Sequence, residues 1–309
     1  MKTLFPAQQR AKDFFVNVHR KRGLNSLDTS MVGTGKTVVS VSFAMELGVP
    51  VAVVCPKSVI VSWKREFAEH GIEPVFVLNY ESLRTGNTAH LKKAGKKIMR
   101  WALPSDTLII FDEVHKCKGA YSQNAQLLIS AAQQRYKLHL LSATACEDPT
   151  EMRALGFAVG LHSLNAAQAP LRGWVSWMYT VGCNQDTWGS WYLRDKAKLK
   201  DLNAQLYGTK GVAYRLSIND FPDSFKQNHV HMLPVSCNKD FYSKNKISES
   251  ALENYILDSS IEEEEQYDEP FIVRLLRARQ EAEFNKVPNL IQLAQDYVDQ
   301  NMAVVLFVN

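Results

Sequence analysis

Ser30-Met-Val-Gly33-Thr34-Gly35-Lys36-Thr37 is the stretch that decides the fold. It carries the core Gly-x-Gly-Lys-Thr, with Ser30 where the full phosphate-loop pattern has its first glycine. Glycines let successive N–H groups converge on a phosphate, and a helix beginning at Lys36 points its positive end at the same spot. Val32, Gly33, Thr34, Gly35, Lys36 and Thr37 then form a nucleotide-binding set. In it Lys36 neutralises the β- and γ-phosphates and the Thr37 hydroxyl ligates magnesium. The plain alternative is an ordinary glycine-rich turn.

Further along, Leu108-Ile-Ile-Phe-Asp112-Glu113-Val114-His115 reads as an apolar strand ending in two acids. Such a strand delivers its carboxylates to the mouth of a parallel sheet, beside the phosphate loop. Asp112 is expected in the magnesium shell, and Glu113 is placed to orient and deprotonate a water. His115 is expected to sense the γ-phosphate; the bland reading is a loop histidine. Two acids after a strand are common by chance, whereas both motifs in this order are not.

Around these motifs, apolar runs alternate with amphipathic stretches. Val51 to Cys55, Val75 to Leu78, Thr107 to Phe111 and Leu138 to Leu141 read as strands buried on both faces. Helices are expected from Lys36 to Gly48, from Ser58 to His70 and from Ser122 to Gln134. That alternation predicts an α/β lobe with a central parallel sheet. After about Leu161 it fades. Residues 161–225 read as a helical connecting region, with a helix from Asp195 to Tyr207. Later come a strand at His229 to Pro234, a helix from Lys239 to Leu257 and an acidic loop at Glu262 to Glu265. Two helices (Phe271 to Phe284, Pro288 to Asn301) and a strand at Ala303 to Val308 close the chain.

The 309 residues hold 46% apolar and 22% charged residues, the balance of a water-soluble globular chain, with no apolar run of membrane-spanning length. The five cysteines are odd in number, widely spaced and without a CxxC pair, which argues against a disulfide framework or cysteine-bound zinc. A reducing intracellular compartment, cytoplasmic or with the chromosome, is the expectation. Residues 1–150 hold 20 Lys/Arg against 12 Asp/Glu, a balance of +8; residues 151–309 hold 16 against 20, a balance of −4. Arg84, Lys92, Lys93, Lys96, Lys97 and Arg100 concentrate the excess. They form either a solvated helix face or a patch for a phosphate backbone. Trp174, Trp177, Trp188 and Trp191 crowd a second short stretch. They read as the core of a subdomain or, alternatively, as stacking platforms for bases. His229 and His231 lack further ligands nearby for a metal.

In these residues the chain resembles superfamily 2 helicase-type ATPases, and most of all their Swi/Snf-like branch of double-stranded nucleic-acid translocases. Leu4-Phe-Pro-Ala-Gln8 is similar to the entry motif, which implies that Gln8 contacts adenine. Val53-Val-Cys-Pro56-Lys57-Ser58 resembles motif Ia and Asn79-Tyr80-Glu81-Ser82-Leu83 motif Ib. Together they imply that Lys57, Ser58, Tyr80 and Ser82 touch nucleic acid, mainly through phosphates. Trp63, in the helix after motif Ia, reads instead as core. Leu141-Ser142-Ala143-Thr144-Ala145 resembles motif III, which implies that Ser142, Ala143 and Thr144 couple hydrolysis to movement together with His115. Its Ser-Ala-Thr wording is more typical of other superfamily 2 helicases.

Ala213-Tyr-Arg215 is similar to the segment joining two motor lobes, and Arg274 to Lys286 to the start of the second. The resemblance implies a RecA-like lobe over residues 1–160, a connector over 161–225 and the opening of a second RecA-like lobe over 226–309, with motifs V and VI absent. It further implies ATP and Mg2+ as cofactors, duplex or branched DNA as the track, and a second lobe supplied in cis or by a partner. An N-terminal piece of a longer protein, hydrolysing ATP weakly by itself, is the resulting expectation. A strand-separating DNA or RNA helicase, a restriction-system motor subunit and a nucleotide-gated non-catalytic binding module share these motifs.

Overall fold

The computed structural model describes residues 3–93, 99–164, 173–221, 244, 245, 247, 271–301 and 304. Residues 1–226 form one compact unit and residues 227–309 a second.

Helix α1 (Pro6–Arg22) starts on a proline at its first position, which fixes φ where the N–H has no helical partner, and stops at Gly23 with φ 62°. Strand β1 (Ser26–Asp28) follows, then the phosphate loop and α2 (Lys36–Leu47). Strand β2 (Val51–Cys55) and α3 (Ile60–Glu69) precede β3 (Phe76–Asn79) and the short α4 (Tyr80–Arg84). Three short antiparallel strands, β4 (Asn87–Thr88), β5 (Leu91–Lys93) and β6 (Met99–Trp101), form a side sheet. Strand β7 (Leu108–Asp112), α5 (Gln123–Gln133), β8 (Lys137–Leu141) and α6 (Arg153–Ala158) complete the regular alternation. The expected strands and helices of this half are present, their ends shifted by one or two residues.

Next come α7 (Trp174–Thr180), a hairpin of β9 (Cys183–Gln185) and β10 (Trp191–Leu193), α8 (Leu199–Tyr207) and β11 (Ala213–Tyr214). This stretch is therefore not wholly helical. Its strands are two or three residues long and mixed in polarity, too short for alternation to show.

The main sheet has six strands in the order β11-β1-β8-β7-β2-β3, and every pairing is parallel. The α/β lobe with a central parallel sheet expected from the alternation is thus realised. Successive side chains of a strand point to opposite faces. Accordingly Val51, Val53, Cys55, Leu108 and Ile110 pack with Ala11, Phe15, Phe43 and Phe67 of α1–α3. Ala52, Val54, Ile109 and Phe111 pack with residues of α4–α8, among them Tyr80, Leu128, Leu155, Trp177 and Leu202. The segment 173–221 shares that second core, and β11 extends the sheet next to β1.

In the second unit, one helix, α9, runs Phe271–Asp299 with Pro288 inside it. Two helices split at Pro288 were expected. The proline ring already holds a helical φ, so the helix forfeits one hydrogen bond and continues. The sequence readings at His229 to Pro234, the acidic loop, most of Lys239 to Leu257 and most of Ala303 to Val308 lie outside the described residues.

The basic stretch is not a helix face. Lys92 and Arg100 are cross-strand partners on β5 and β6 and both are exposed, while Leu91, Met99 and Trp101 turn inward. Lys96 and Lys97 lie outside the described residues.

Candidate active site

A parallel sheet gathers all its strand ends on one side, and three adjacent strands bring the site together there. The phosphate loop follows β1, Ser142 follows β8, and Asp112 closes β7. Gly33 and Gly35 have φ 83° and 87°, a left-handed conformation that side chains resist. At Gly35 a Cβ would also lie 2.4 Å from Gln8 Nε2. That amide donates to Thr34 O at 2.9 Å, and Gln8 Oε1 accepts from Phe5 N at 3.0 Å. Gln8 thus reaches from α1 to the loop. Lys36 Nζ donates to Ser30 O (2.7 Å) and Met31 O (3.2 Å), which holds the ammonium within the loop. Val32 is 78% exposed at the loop's tip and Thr34 is buried; Thr37 is half-buried in the first turn of α2.

Ser30 has a task that the phosphate-loop pattern does not explain. Its Oγ accepts from Leu216 N at 2.9 Å, and Met31 N donates to Leu216 O at 2.9 Å. The segment after β11 is thereby strapped to the phosphate loop. Beneath the loop, Asp28 is fully buried and its Oδ1 accepts from Ser30 N at 2.8 Å. Burial pushes its carboxyl pKa up; the Ser30 hydroxyl and amide, then Lys36, pull it down. Asp28 escaped notice in the sequence because a single acid at a strand end carries no spacing signal.

Behind the loop runs a buried polar chain. His19 Nε2 lies 2.9 Å from Ser26 Oγ, Ser26 Oγ lies 2.7 Å from His139 Nδ1, and His139 Nε2 lies 3.1 Å from Ser40 Oγ. Ser40 Oγ donates to Lys36 O at 2.8 Å. That last bond sets the direction: His139 donates through Nε2, Ser26 donates to His139 Nδ1, and His19 donates to Ser26. Both imidazoles are then neutral. Burial, then Lys137, lowers the His19 pKa to about 4; burial, then His19, drives His139 well below its ordinary value.

On β7, Asp112 Oδ2 accepts from Trp63 Nε1 at 2.8 Å and Oδ1 from Glu113 N at 3.0 Å. Trp63 is core, as its sequence setting suggests, yet it also aims the acid. Burial raises the Asp112 pKa most, the Trp63 bond opposes it, Glu113 raises it and Lys36 lowers it. Glu113 has φ 52°, rare for a residue with a side chain and a feature that clusters at functional sites. His115 Nδ1 lies 3.1 Å from Glu113 Oε2 and 3.1 Å from Ser142 Oγ. Ser142 is buried, its N donates to Asp28 O at 3.0 Å, and its Oγ accepts from Thr144 N at 3.3 Å. Glu113, His115 and Ser142 therefore meet at one point. Ala143 is half-buried and Thr144 exposed beside them.

The residues assigned to nucleic acid fare differently. Lys57 and Ser58 are exposed just after β2, and Ser82 is half-buried in α4. Tyr80 requires correction: it is fully buried, and its hydroxyl donates to Asp112 O at 2.8 Å. Its ring stands against Phe111, so its side chain braces the acid strand and cannot reach a polymer.

Fold and site together form an α/β lobe in which a phosphate-loop-like turn and a pair of acids meet at the ends of adjacent parallel strands. Over 335 aligned residues the chain is 28% identical to the "Putative ATP-dependent RNA helicase" of Acanthamoeba polyphaga mimivirus. The match takes in 99% of this chain and 60% of that protein, so the chain spans less than two thirds of its relative's length. No family model matches the chain. Two solved structures of the Sulfolobus solfataricus SWI2/SNF2 ATPase core, one in complex with double-stranded DNA, are each 17% identical with a TM-score of 0.48. They cover 96% and 92% of this chain, which in turn covers 65% and 56% of theirs. No helix among the described residues is long and apolar enough to cross a membrane.

Proposed function

We propose that this chain is the ATP-binding lobe of a nucleic-acid motor of the Swi/Snf-like kind, which couples ATP hydrolysis to movement along duplex or branched DNA. One observation carries the reading: Glu113, the residue placed to activate water, shares His115 with Ser142 of the segment resembling motif III. A phosphate-binding protein without moving parts has no use for that bridge.

In this reading Gln8 recognises adenine, and the loop amides of residues 32–36 with Lys36 hold the β- and γ-phosphates. The hard oxygen donors of Thr37 and Asp112 suit Mg2+, and a carboxylate kept half-buried beside Lys36 is one whose charge a cation would complement. Bound there, magnesium supplies charge neutralisation on phosphate oxygens. Glu113 takes a proton from water as its oxygen bonds to the γ-phosphorus and the bond to the β–γ bridging oxygen breaks. The change at Glu113 passes through His115 to Ser142. It reaches the linker segment through the Ser30–Leu216 strap. Residues 226–309 open a second lobe, completed in cis or by a partner, and Lys57, Ser58 and Ser82 lie along the track.

Steady-state ATP hydrolysis by a form containing both lobes tests this. It is measured without polymer and with single-stranded, duplex and branched DNA and RNA. The expected result is stimulation by duplex or branched DNA. Glu113→Gln should lower turnover by about a hundredfold to ten-thousandfold while ATP still binds. RNA as the preferred activator would replace the track, and no stimulation by any polymer would sink the motor reading.

A further inference from the structure

One residue breaks the rules that place every other tryptophan described above. Trp188 is 91% exposed, the most exposed large apolar side chain among the described residues. Trp63, Trp101, Trp174 and Trp177 are all buried. Tryptophan exposes this much surface to water at a cost unless a partner covers it.

The surroundings of Trp188 are built to display it. It sits in the turn between β9 and β10, whose register pairs Gln185 with Trp191 and Cys183 with Leu193. Asp186 Oδ1 accepts from both Trp188 N (2.9 Å) and Ser190 N (2.8 Å), which fixes the turn. Cys183 anchors the hairpin in the core, and Trp191 packs edge-on against Tyr179 at 5.2 Å. Tyr179 and Tyr192 are themselves 48% and 46% exposed.

Charge beside the hairpin points to the occupant. Arg194, Lys196, Lys198 and Lys200 are exposed, and among the described residues none of them makes an ion pair. The two acids between residues 183 and 200, Asp186 and Asp195, each engage one carboxylate oxygen, Oδ1, with backbone N–H groups of their own turns. An exposed aromatic plane at the tip of a hairpin that a run of cations follows matches an unpaired nucleotide strand: a base stacks on the ring and the phosphates meet the lysines. A buried duplex base offers no such face.

We infer that the β9–β10 hairpin is a stacking site for an unpaired base of a nucleic-acid strand, with Trp188 as the platform and Lys196, Lys198 and Lys200 as backbone contacts. This rests on the motor reading, and it narrows the substrate to a polymer with a single-stranded part, such as a fork or a branch.

The test uses the full chain without ATP, so that it succeeds or fails independently of turnover. Binding of a labelled oligothymidine and of a blunt duplex is measured for the unaltered chain, Trp188→Ala, Trp188→Phe and the combined Lys196→Ala, Lys198→Ala, Lys200→Ala variant. Trp188→Ala should weaken oligothymidine binding about tenfold to a hundredfold and leave the duplex unaffected. Trp188→Phe should restore much of the loss. The lysine variant should lower the salt dependence of oligothymidine binding by about two in log–log slope. The tryptophan emission lost in Trp188→Phe should be quenched by oligothymidine. Trp188 makes no core contact, so thermal melting should be unchanged and reports any misfolding. Equal binding by Trp188→Ala and the unaltered chain, or equal losses on both polymers, overturns the inference. Absence of quenching does so too and leaves a protein surface as the occupant.

Discussion

The proposed nucleotide side of this lobe and its proposed polymer side differ in how firmly their side chains are held. On the nucleotide side nearly every candidate is fixed by a second residue. Gln8 bonds the loop, Ser30 is tied to Asp28 and Leu216, Asp112 to Trp63, and Glu113 to His115. On the polymer side, Lys57 and Ser58 stand exposed at the start of a 3-10 turn. The difference follows from the chemistry. In-line phosphoryl transfer loses rate steeply with small misplacement, so its groups need buried supports. Contact with a regular phosphate backbone needs only a charge or donor within reach.

If that contrast is right, supports on the nucleotide side carry large effects and single polymer contacts small ones. The largest lies in the chain behind the loop. His19 is neutral in the fold with its pKa lowered to about 4, against an ordinary value of 6.5. A depressed pKa means that the unfolded chain binds the extra proton first. Stability is fully present above pH 6.5 and is lost as pH falls from 6.5 towards 4. The loss is on the order of 3 kcal/mol. Urea midpoints across that window should show it, and His19→Gln should flatten the profile. Trp63→Phe keeps an aromatic ring, though a smaller one, and removes the donor to Asp112. A cost of about 1–3 kcal/mol in unfolding free energy is expected, with weaker magnesium-dependent nucleotide binding. Unchanged stability and nucleotide affinity would mean that Trp63 is packing alone. Smallest is Lys57→Ala, expected to lower the log–log salt slope of duplex binding by about one and leave ATP affinity unchanged. A large loss of ATP affinity there would break the contrast.

The same contrast explains what the sequence revealed. The loop at residues 30–37 and the Asp112–Glu113 pair stood out because the proposed function demands a fixed order of residue types after buried strands. Apolar strands 51–55 and 108–112 were legible because burial on both faces leaves an unbroken apolar run. Strand β1, with only Leu27 apolar, was not. Nor were the supports: Trp63 meets Asp112 across 49 residues and His139 meets Ser40 across 99, contacts that leave no local spacing, while Asp28 and His19 are single polar residues with no pattern around them. Tyr80 misled because its motif position says where its backbone lies, whereas the ring turned inward. Trp188 stood out only once exposure separated it from its three neighbours in sequence.

The central claim is that Glu113, His115 and Ser142 form the bridge between hydrolysis and the polymer. The most direct test compares polymer-stimulated with unstimulated ATP turnover in Ser142→Ala, in a form containing both lobes. The account predicts that the ratio of the two rates falls towards one. A ratio equal to that of the unaltered protein, whatever happens to the absolute rates, would contradict it.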